Sequence, residues 1–450
     1  MSQETLSTAV ARIAGRYDAP GVAAGVLTGD RTAFASSGVT SLANPLPVDE
    51  TTVFSVASVT KTFTATTLVR LAAEGRVDLD APVRRYVPEF TLADEPAADT
   101  ITVLNLLNHT AGLPWGVIDT DPTADPSLAA YVARLRGLAL VAPPGTRVSY
   151  SQAGYNLAGR VIENVTGQPY ERAVAELVLT PVGLPDTVFG LDDVVVRRFA
   201  LGYHRADDGT LEPARPWTPW PAGTHGDAPG GGLASTARDL LRWARFHLGT
   251  GDGVLPTAWL RRMTRPTVGG AEPVGIGWFL RDVDGVRTAR HVGSGNGQFA
   301  ELLLVPDRDF AVVCLASGPD GQRCIRDVLR WALDHHLGVV ERDPEPEPYD
   351  AARAREVVGR YEIDAMTIDA ATDGARLTLA IAIRPAVREA SDTGLPPDPA
   401  PAAIGFLGDG DEYVVLDGAM AGERGRLARD TGGAVVGIDV GGQLFPRAAP

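Results

Sequence analysis

Phe54-Ser-Val-Ala-Ser-Val-Thr-Lys61 places a serine and a lysine three residues apart, just where a stretch with helical apolar spacing begins. Phe63, Leu68, Leu71 and Ala72 supply the apolar positions, and Gly75 stops the run. Ser58 and Lys61 therefore fall on one face at the N-terminal end of a predicted helix. The chain has 41 basic residues, and Lys61 is the single lysine among them. Arginine serves everywhere else, so this position calls for something arginine cannot do, which is to lose its proton near neutral pH.

The N–H groups of a first helical turn have no intrahelical partner, so the Ser58 N–H is a candidate donor to a developing oxyanion. A lysine at the positive end of the helix and partly desolvated has its pKa lowered from about 10.4 toward neutrality. Serine and lysine then read as a nucleophile and its base. On this reading, replacing Lys61 by arginine keeps the fold and removes acylation.

The 450 residues suffice for one large domain and a smaller one. A net charge of -15 without basic clusters argues against nucleic acid or an anionic membrane surface as partner. The N-terminal residues lack a basic segment followed by an apolar run, and no stretch of 18 or more apolar residues occurs, so a cytoplasmic location is expected. Cys314 and Cys324 are too few for a disulfide framework and read as buried thiols. Adjacent His335 and His336 point to different faces of a helix, and no metal or other cofactor is expected.

Residues 3 to 17 read as a helix, followed by a hairpin of 21 to 28 and 32 to 37 that turns at Gly29-Asp30. A second hairpin, 299 to 305 and 310 to 316, turns around 307 to 309 and precedes a helix from 321 to 336. Strands at both ends with helices between them predict an α+β domain over residues 1 to 340, its antiparallel sheet flanked by helices and drawn from both termini. Glu341-Arg-Asp-Pro-Glu-Pro-Glu-Pro348 is an expected extended linker. Beyond it, short runs at 359 to 362, 376 to 383, 412 to 416 and 434 to 440 predict a small all-β barrel or sandwich over 349 to 450, interrupted by a proline-rich loop at 395 to 401.

Two further motifs follow in order. Pro144-Gly-Thr-Arg-Val-Ser-Tyr150-Ser-Gln152 leads into a helix, and Arg290-His291-Val-Gly293-Ser294-Gly-Asn-Gly297 runs into a strand. With Ser58-Val-Thr-Lys61, this order resembles the β-lactamase-like and penicillin-binding serine enzymes. The likeness is to the branch that holds class C β-lactamases, esterases and D-amino-acid peptidases, whose motifs are Ser-x-x-Lys, Tyr-x-Asn and a Lys-Thr-Gly or His-x-Gly triplet. Leu106-Leu-Asn-His-Thr-Ala-Gly-Leu-Pro114, Pro181 to Thr187 and Gly231 to Asp239 carry the resemblance through most of residues 10 to 340.

The resemblance implies a β-lactamase/transpeptidase-like fold, Ser58 as nucleophile, Lys61 as proton acceptor and Tyr150 as proton shuttle, with His291 in the third catalytic motif. Which of Lys61 and Tyr150 is the formal base stays open. The backbone N–H groups of Ser58 and Ser294 would form the oxyanion hole, and Gln152 and Gly293 would touch substrate. Gln152 stands where the family's second motif usually has asparagine, and His291 where the third often has lysine, and family members with histidine there are more often esterases, amidases, peptidases or acyl transferases than β-lactamases. A neutral imidazole holds a substrate carboxylate less strongly than an ammonium group.

His109 reads as a structural hydrogen-bonding residue rather than a catalyst. Trp115, Trp217 and Trp220 sit on loops able to line a cleft. The glycines at 293 to 297 precede a strand, which argues against a phosphate loop. The C-terminal domain resembles the lipocalin-like modules of this branch, either as a stabilising appendage or as a wall of the substrate cleft, with Arg447 pairing with a carboxylate.

The expected activity is that of an acyl-serine hydrolase or transferase acting on a small-molecule, peptide or carrier-bound ester, amide or thioester. One variant cyclises nonribosomal peptides, as penicillin-binding-protein-type thioesterases do. A reading of another class is a binding protein or sensor without turnover, against which the retained Ser58, Lys61 and Tyr150 speak.

Overall fold

The computed structural model describes residues 4–116, 125, 127–206, 208–214, 227–250, 253–268, 273–390, 398–418 and 420–448. Trp217, Trp220 and residues 395–397 of the proline-rich loop lie outside them. Contacts divide the chain into two compact units. One comprises Met1–Pro88, Pro126–Ala129 and Tyr155–Glu341; the other comprises Glu89–Asp125, Ala130–Gly154 and Arg342–Pro450. The second unit thus joins the stretch that carries Tyr150 to the C-terminal strands.

The first unit is built on an antiparallel sheet of six strands: β1 (Gly21–Thr28), β2 (Arg31–Gly38), β3 (Phe279–Val283), β4 (Val286–Gly295), β5 (Gln298–Val305) and β6 (Phe310–Ser317). Their spatial order is β2-β1-β6-β5-β4-β3, so the two termini meet where β1 pairs with β6, Ala24 opposite Cys314. Both predicted hairpins are present. β1 and β6 are apolar along almost their whole length because both sheet faces are covered, and a strand buried on both faces loses the alternation of a half-exposed one.

On one face pack α1 (Leu6–Arg16) and a C-terminal helix, Gly321–Leu337, through Val10, Ile13, Ile325 and Val328 against Val22, Val26 and Val312. Thr5 caps α1 by accepting the Thr8 N–H at 3.3 Å. Cys314 and Cys324 are free and buried in this layer.

A second helix, α2 (Thr60–Ala73), is buried on nearly every side although it is rich in threonine. Its hydroxyls are satisfied locally: Thr62, Thr66 and Thr67 donate to the carbonyls of Val59, Thr62 and Phe63 at 2.8, 2.7 and 2.9 Å. Trp243 stacks on Phe63 with ring centroids 4.1 Å apart and donates its indole N–H to Thr62.

The C-terminal strands form an eight-stranded antiparallel meander: β7 (Gly359–Glu362), β8 (Met366–Thr372), β9 (Leu377–Ile383), β10 (Ala402–Phe406), β11 (Glu412–Val415), β12 (Arg424–Arg429), β13 (Val435–Val440) and β14 (Gln443–Pro446). An antiparallel bridge between Tyr361 and Arg447 brings the first and last strands together, which makes the sheet a barrel rather than a sandwich. Ile368, Leu379, Tyr413, Ile438 and Phe445 fill its interior. Arg447 donates to the carbonyls of Glu356 and Val358 and to the Tyr361 hydroxyl. It bonds to backbone carbonyls and a hydroxyl where the barrel closes, not to the carboxylate expected from sequence.

His247 is buried among Trp243, Phe246 and Trp278, and burial pushes its pKa down to about 3. The unfolded chain takes up this proton below about pH 6.5 and the folded chain does not, so stability is full above pH 6.5 and falls as pH drops toward 3. Denaturant titrations between pH 7 and pH 4 should show His247→Gln losing stability less steeply than wild type, by about 1.4 kcal/mol per pH unit.

Candidate active site

The Ser58 segment is bent before it is helical. Ala57 is held at φ 40°, a left-handed conformation uncommon for a residue with a side chain, and a short 3-10 turn, Ala57–Val59, then runs into α2. The first helical bond is Val59 N–H to the Val56 carbonyl at 3.0 Å, so the Ser58 N–H lies ahead of the ladder, at the positive end of the helix. The Thr60 hydroxyl donates to the Ala57 carbonyl at 2.6 Å and accepts the Leu233 N–H at 3.0 Å, which fixes the bend to a neighbouring strand.

Lys61 is fully buried. Its Nζ lies 3.3 Å from Ser58 Oγ and 2.5 Å from the Gly230 carbonyl, and the Tyr155 ring centroid is 5.6 Å away. Burial lowers its pKa to about 7, against a smaller opposing pull from the Asp227 carboxylate. Asp227 is itself held by the Asn156 amide, which donates to Oδ1 at 2.7 Å. Asp227, Asn156, Tyr155 and Gly230 carry no motif spacing relative to Ser58, so sequence reasoning missed them.

The third motif runs along β4, flush against the Ser58 segment. A Cβ placed on Gly293 would lie 2.1 Å from the Val56 carbonyl oxygen and 3.2 Å from the Ser58 nitrogen, so this position admits no side chain. Ser294 follows at an exposed point of the strand, opposite Phe299. Asn296 and Gly297, at φ 49° and 66°, then turn β4 into β5. The glycine cluster is a hairpin and a close approach.

His291, on the same strand, is buried against Phe279, and its Nδ1–H donates to the Val292 carbonyl at 2.9 Å. Burial, with a further push from Lys61, lowers its pKa to about 3. The ring is thus neutral at physiological pH and too weak a base to take a proton there. Its Nε2 is a buried acceptor with no hydrogen-bond partner among the described residues.

Ser58, Lys61, His291, Gly293 and Ser294 lie in the first unit; Tyr150 and Gln152 lie in the second. Tyr150 occupies an extended loop immediately before a helix, Gln152–Thr166, whose first N–H groups, those of Gln152 and Ala153, donate to the Trp115 carbonyl at 2.7 and 2.9 Å. His109 is at φ 59° and its Nδ1 accepts the Ser151 N–H at 3.1 Å. That is the structural role expected of it. Among the described residues no group of three or more His, Cys, Asp or Glu side chains is placed to hold a metal ion.

The sequence matches the Beta-lactamase family model over residues 6–336. Penicillin-binding protein 4 of Amycolatopsis lactamdurans is 32% identical over 366 residues, covering 77% of this chain and 94% of that protein. The chain belongs to the β-lactamase family. Among solved structures, SurE with D-Leu superposes with a TM-score of 0.74 at 23% identity, covering 98% of both chains and so including the barrel. A class C β-lactamase from Rhodobacter sphaeroides covers 73% of this chain and 99% of its own, with a TM-score of 0.60 at 24% identity. These likenesses agree with the β-lactamase-like fold and the added β domain. The family consists mostly of serine hydrolases. No helix among the described residues is long and apolar enough to cross a membrane.

The burial of Lys61 changes one expectation. A guanidinium is bulkier than an ammonium group and keeps its proton, so arginine in this enclosed site should cost stability as well as activity. Folding also lowers the lysine pKa. The buried amine therefore weakens the fold most below pH 7, and the penalty fades as pH rises toward 10.5. Lys61→Met should make unfolding at pH 7 harder by on the order of 1–3 kcal/mol, read by denaturant titration, while acylation of Ser58 disappears. In the wild type, the acylation rate should climb with pH and level off around an inflection near 7.

Gly293→Ala tests the strand contact. It should cost roughly 1–3 kcal/mol of stability and at least about tenfold in acylation, measured by denaturation and by stopped-flow labelling of Ser58.

Proposed function

We propose that this protein is an acyl-serine hydrolase or acyl transferase whose donor is an ester, amide or thioester of a peptide-like acyl group. The observation that carries this reading is a lysine with a pKa near 7, sealed from water, with its amine 3.3 Å from a serine hydroxyl at a helix start. Ser58 Oγ attacks the acyl carbon as its proton passes to Lys61, whose N–H groups the Gly230 carbonyl helps to orient. The oxyanion that forms is received by the backbone N–H groups of Ser58 and Ser294. Tyr150 relays the proton to the leaving alcohol, amine or thiol as its bond to carbon breaks. Water or an amine then takes the acyl group from Ser58 and returns the enzyme.

The third motif bears on the substrate. Lysine in that place would offer a fixed cation to a substrate carboxylate, whereas His291 is neutral and offers a buried acceptor. This favours a donor without a free carboxylate beside the scissile bond. A carrier-bound peptide fits, and its release by cyclisation is the transfer variant. That SurE was solved with D-Leu makes a D-residue at the acyl carbon the first choice to test. The reading as a binding protein without turnover is disfavoured by the cost of burying an unneeded lysine.

Mass spectrometry of the intact protein and its products, with a peptidyl thioester ending in a D-residue, should show an adduct in wild type and none in Ser58→Ala. Cyclic product identifies a transferase and linear acid a hydrolase. A persistent adduct without product identifies a binder, and turnover by Ser58→Ala would overturn the mechanism.

A further inference from the structure

Three consecutive main-chain N–H groups around Tyr150 have defined partners. Ser149 donates to the His109 carbonyl at 2.8 Å and Ser151 to the His109 imidazole at 3.1 Å. Tyr150 itself donates to the carbonyl of Gly442 at 2.7 Å. Gly442 belongs to the turn joining β13 to β14 of the C-terminal barrel, 292 positions along the chain from Tyr150 by their residue numbers. Within the same compact unit, loop and turn make a second bond: the Leu444 N–H donates to the Ser149 hydroxyl at 3.2 Å. The Arg147 guanidinium donates to the Arg429 carbonyl on the adjoining strand β12 at 2.9 Å.

The turn is built to hold its carbonyl still. Val440 pairs with Gln443 across two residues, Gly441 and Gly442, both at positive φ (62° and 81°), the tight hairpin form that glycine permits. Asp439 accepts the Gly442 N–H at 3.1 Å and keeps the turn from rotating. On the other side of the loop, His109 packs its ring against that of Tyr150, with centroids 4.6 Å apart. The Tyr150 backbone is thus held by His109 and by a barrel turn, all within one compact unit.

We propose that the Asp439–Leu444 turn is a positioning element for Tyr150, so that the C-terminal barrel is a working part of the acyl-transfer machinery. This rests on Tyr150 being the proton carrier of the proposed function. A phenol sits at the far end of a long side chain, so a small rotation of the backbone at its root is magnified at the hydroxyl. Displacements of about 1 Å there can cost on the order of a hundredfold in rate. Losing the Gly442 carbonyl frees that rotation without touching any group that meets substrate.

The test uses the full chain with p-nitrophenyl butyrate as acyl donor and four variants: Gly442→Val, Ser149→Ala, Tyr150→Phe and the double variant Gly442→Val/Tyr150→Phe. Valine is strained at φ 81° and displaces the carbonyl, whereas Ser149→Ala removes the second bond with little risk to folding. Gly433→Val is the control. It puts the same strain in the neighbouring β12–β13 turn, at φ 87°, with no atom within 4 Å of the added Cβ.

The expected result is a fall of at least about tenfold in kcat with little change in KM for Gly442→Val, a smaller fall for Ser149→Ala, and less than about twofold for Gly433→Val. Tyr150→Phe should lose about 10²–10⁴-fold. Adding Gly442→Val to it should cost less than about twofold more, because the group being positioned is already gone. If the two losses multiply, or if Gly442→Val behaves like Gly433→Val while Tyr150→Phe is inactive, the positioning role is overturned and the mechanism stands. Should Gly442→Val fail to fold, Ser149→Ala decides by the same comparison with Tyr150→Phe. Near-normal turnover by Tyr150→Phe would remove Tyr150 from the mechanism and the inference with it.

Discussion

The active site depends on a single amine kept out of water. Lys61 sits within bonding reach of Ser58 Oγ and the Gly230 carbonyl, and the protein around it admits no solvent. Enclosure of this kind would be ruinous for a group that had to stay charged. For lysine it moves the pKa down to about 7, where an amine can gain or lose its proton at neutral pH. Several features that look unrelated follow from this one requirement. α2 must be buried all round, so it carries threonines that bond to their own helix. The strand with the third motif must come close enough to complete the site, so it carries glycine where it crosses Val56 and Ser58.

The same enclosure explains His291. A histidine beside a lysine and under Phe279 has no water to stabilise a positive charge, and its Nδ1–H is engaged with the neighbouring carbonyl. Sequence alone counts it as a member of a catalytic motif. Its surroundings leave it a neutral acceptor. The difference matters for the proposed donor, because a neutral ring offers no fixed cation to a carboxylate. The Asp227 carboxylate pulls the other way: it limits how far burial can lower the lysine pKa, and Asn156 fixes it in place.

Much of the main domain could be read directly. The hairpins of 21 to 37 and 299 to 316 came from apolar runs broken by turn residues, which act over a few positions, whereas the pairing of β1 with β6 inside the expected sheet came from the tertiary structure. The barrel was legible only in part. β8, β10, β12 and β14 went unrecognised because short strands with glycine and charged residues have weak local preferences, and only their pairing with neighbours makes them strands. Arg447 read as an anchor for a carboxylate, yet at the closure of the barrel its donors meet carbonyls and the Tyr361 hydroxyl.

By itself the sequence determined the spacing of Ser58 and the single lysine, the order of the motifs and the α+β character of the main domain. These rest on spacings of a few residues, where backbone geometry leaves little freedom. Tertiary structure decided the rest: that Lys61 is dry, that Gly230 and Asp227 face it, that His291 is neutral, and that Tyr150 shares a compact unit with a barrel turn almost three hundred residues away in the chain. Solvation and field at an atom depend on everything packed around it, and that set of neighbours exists only once distant segments of the chain have met.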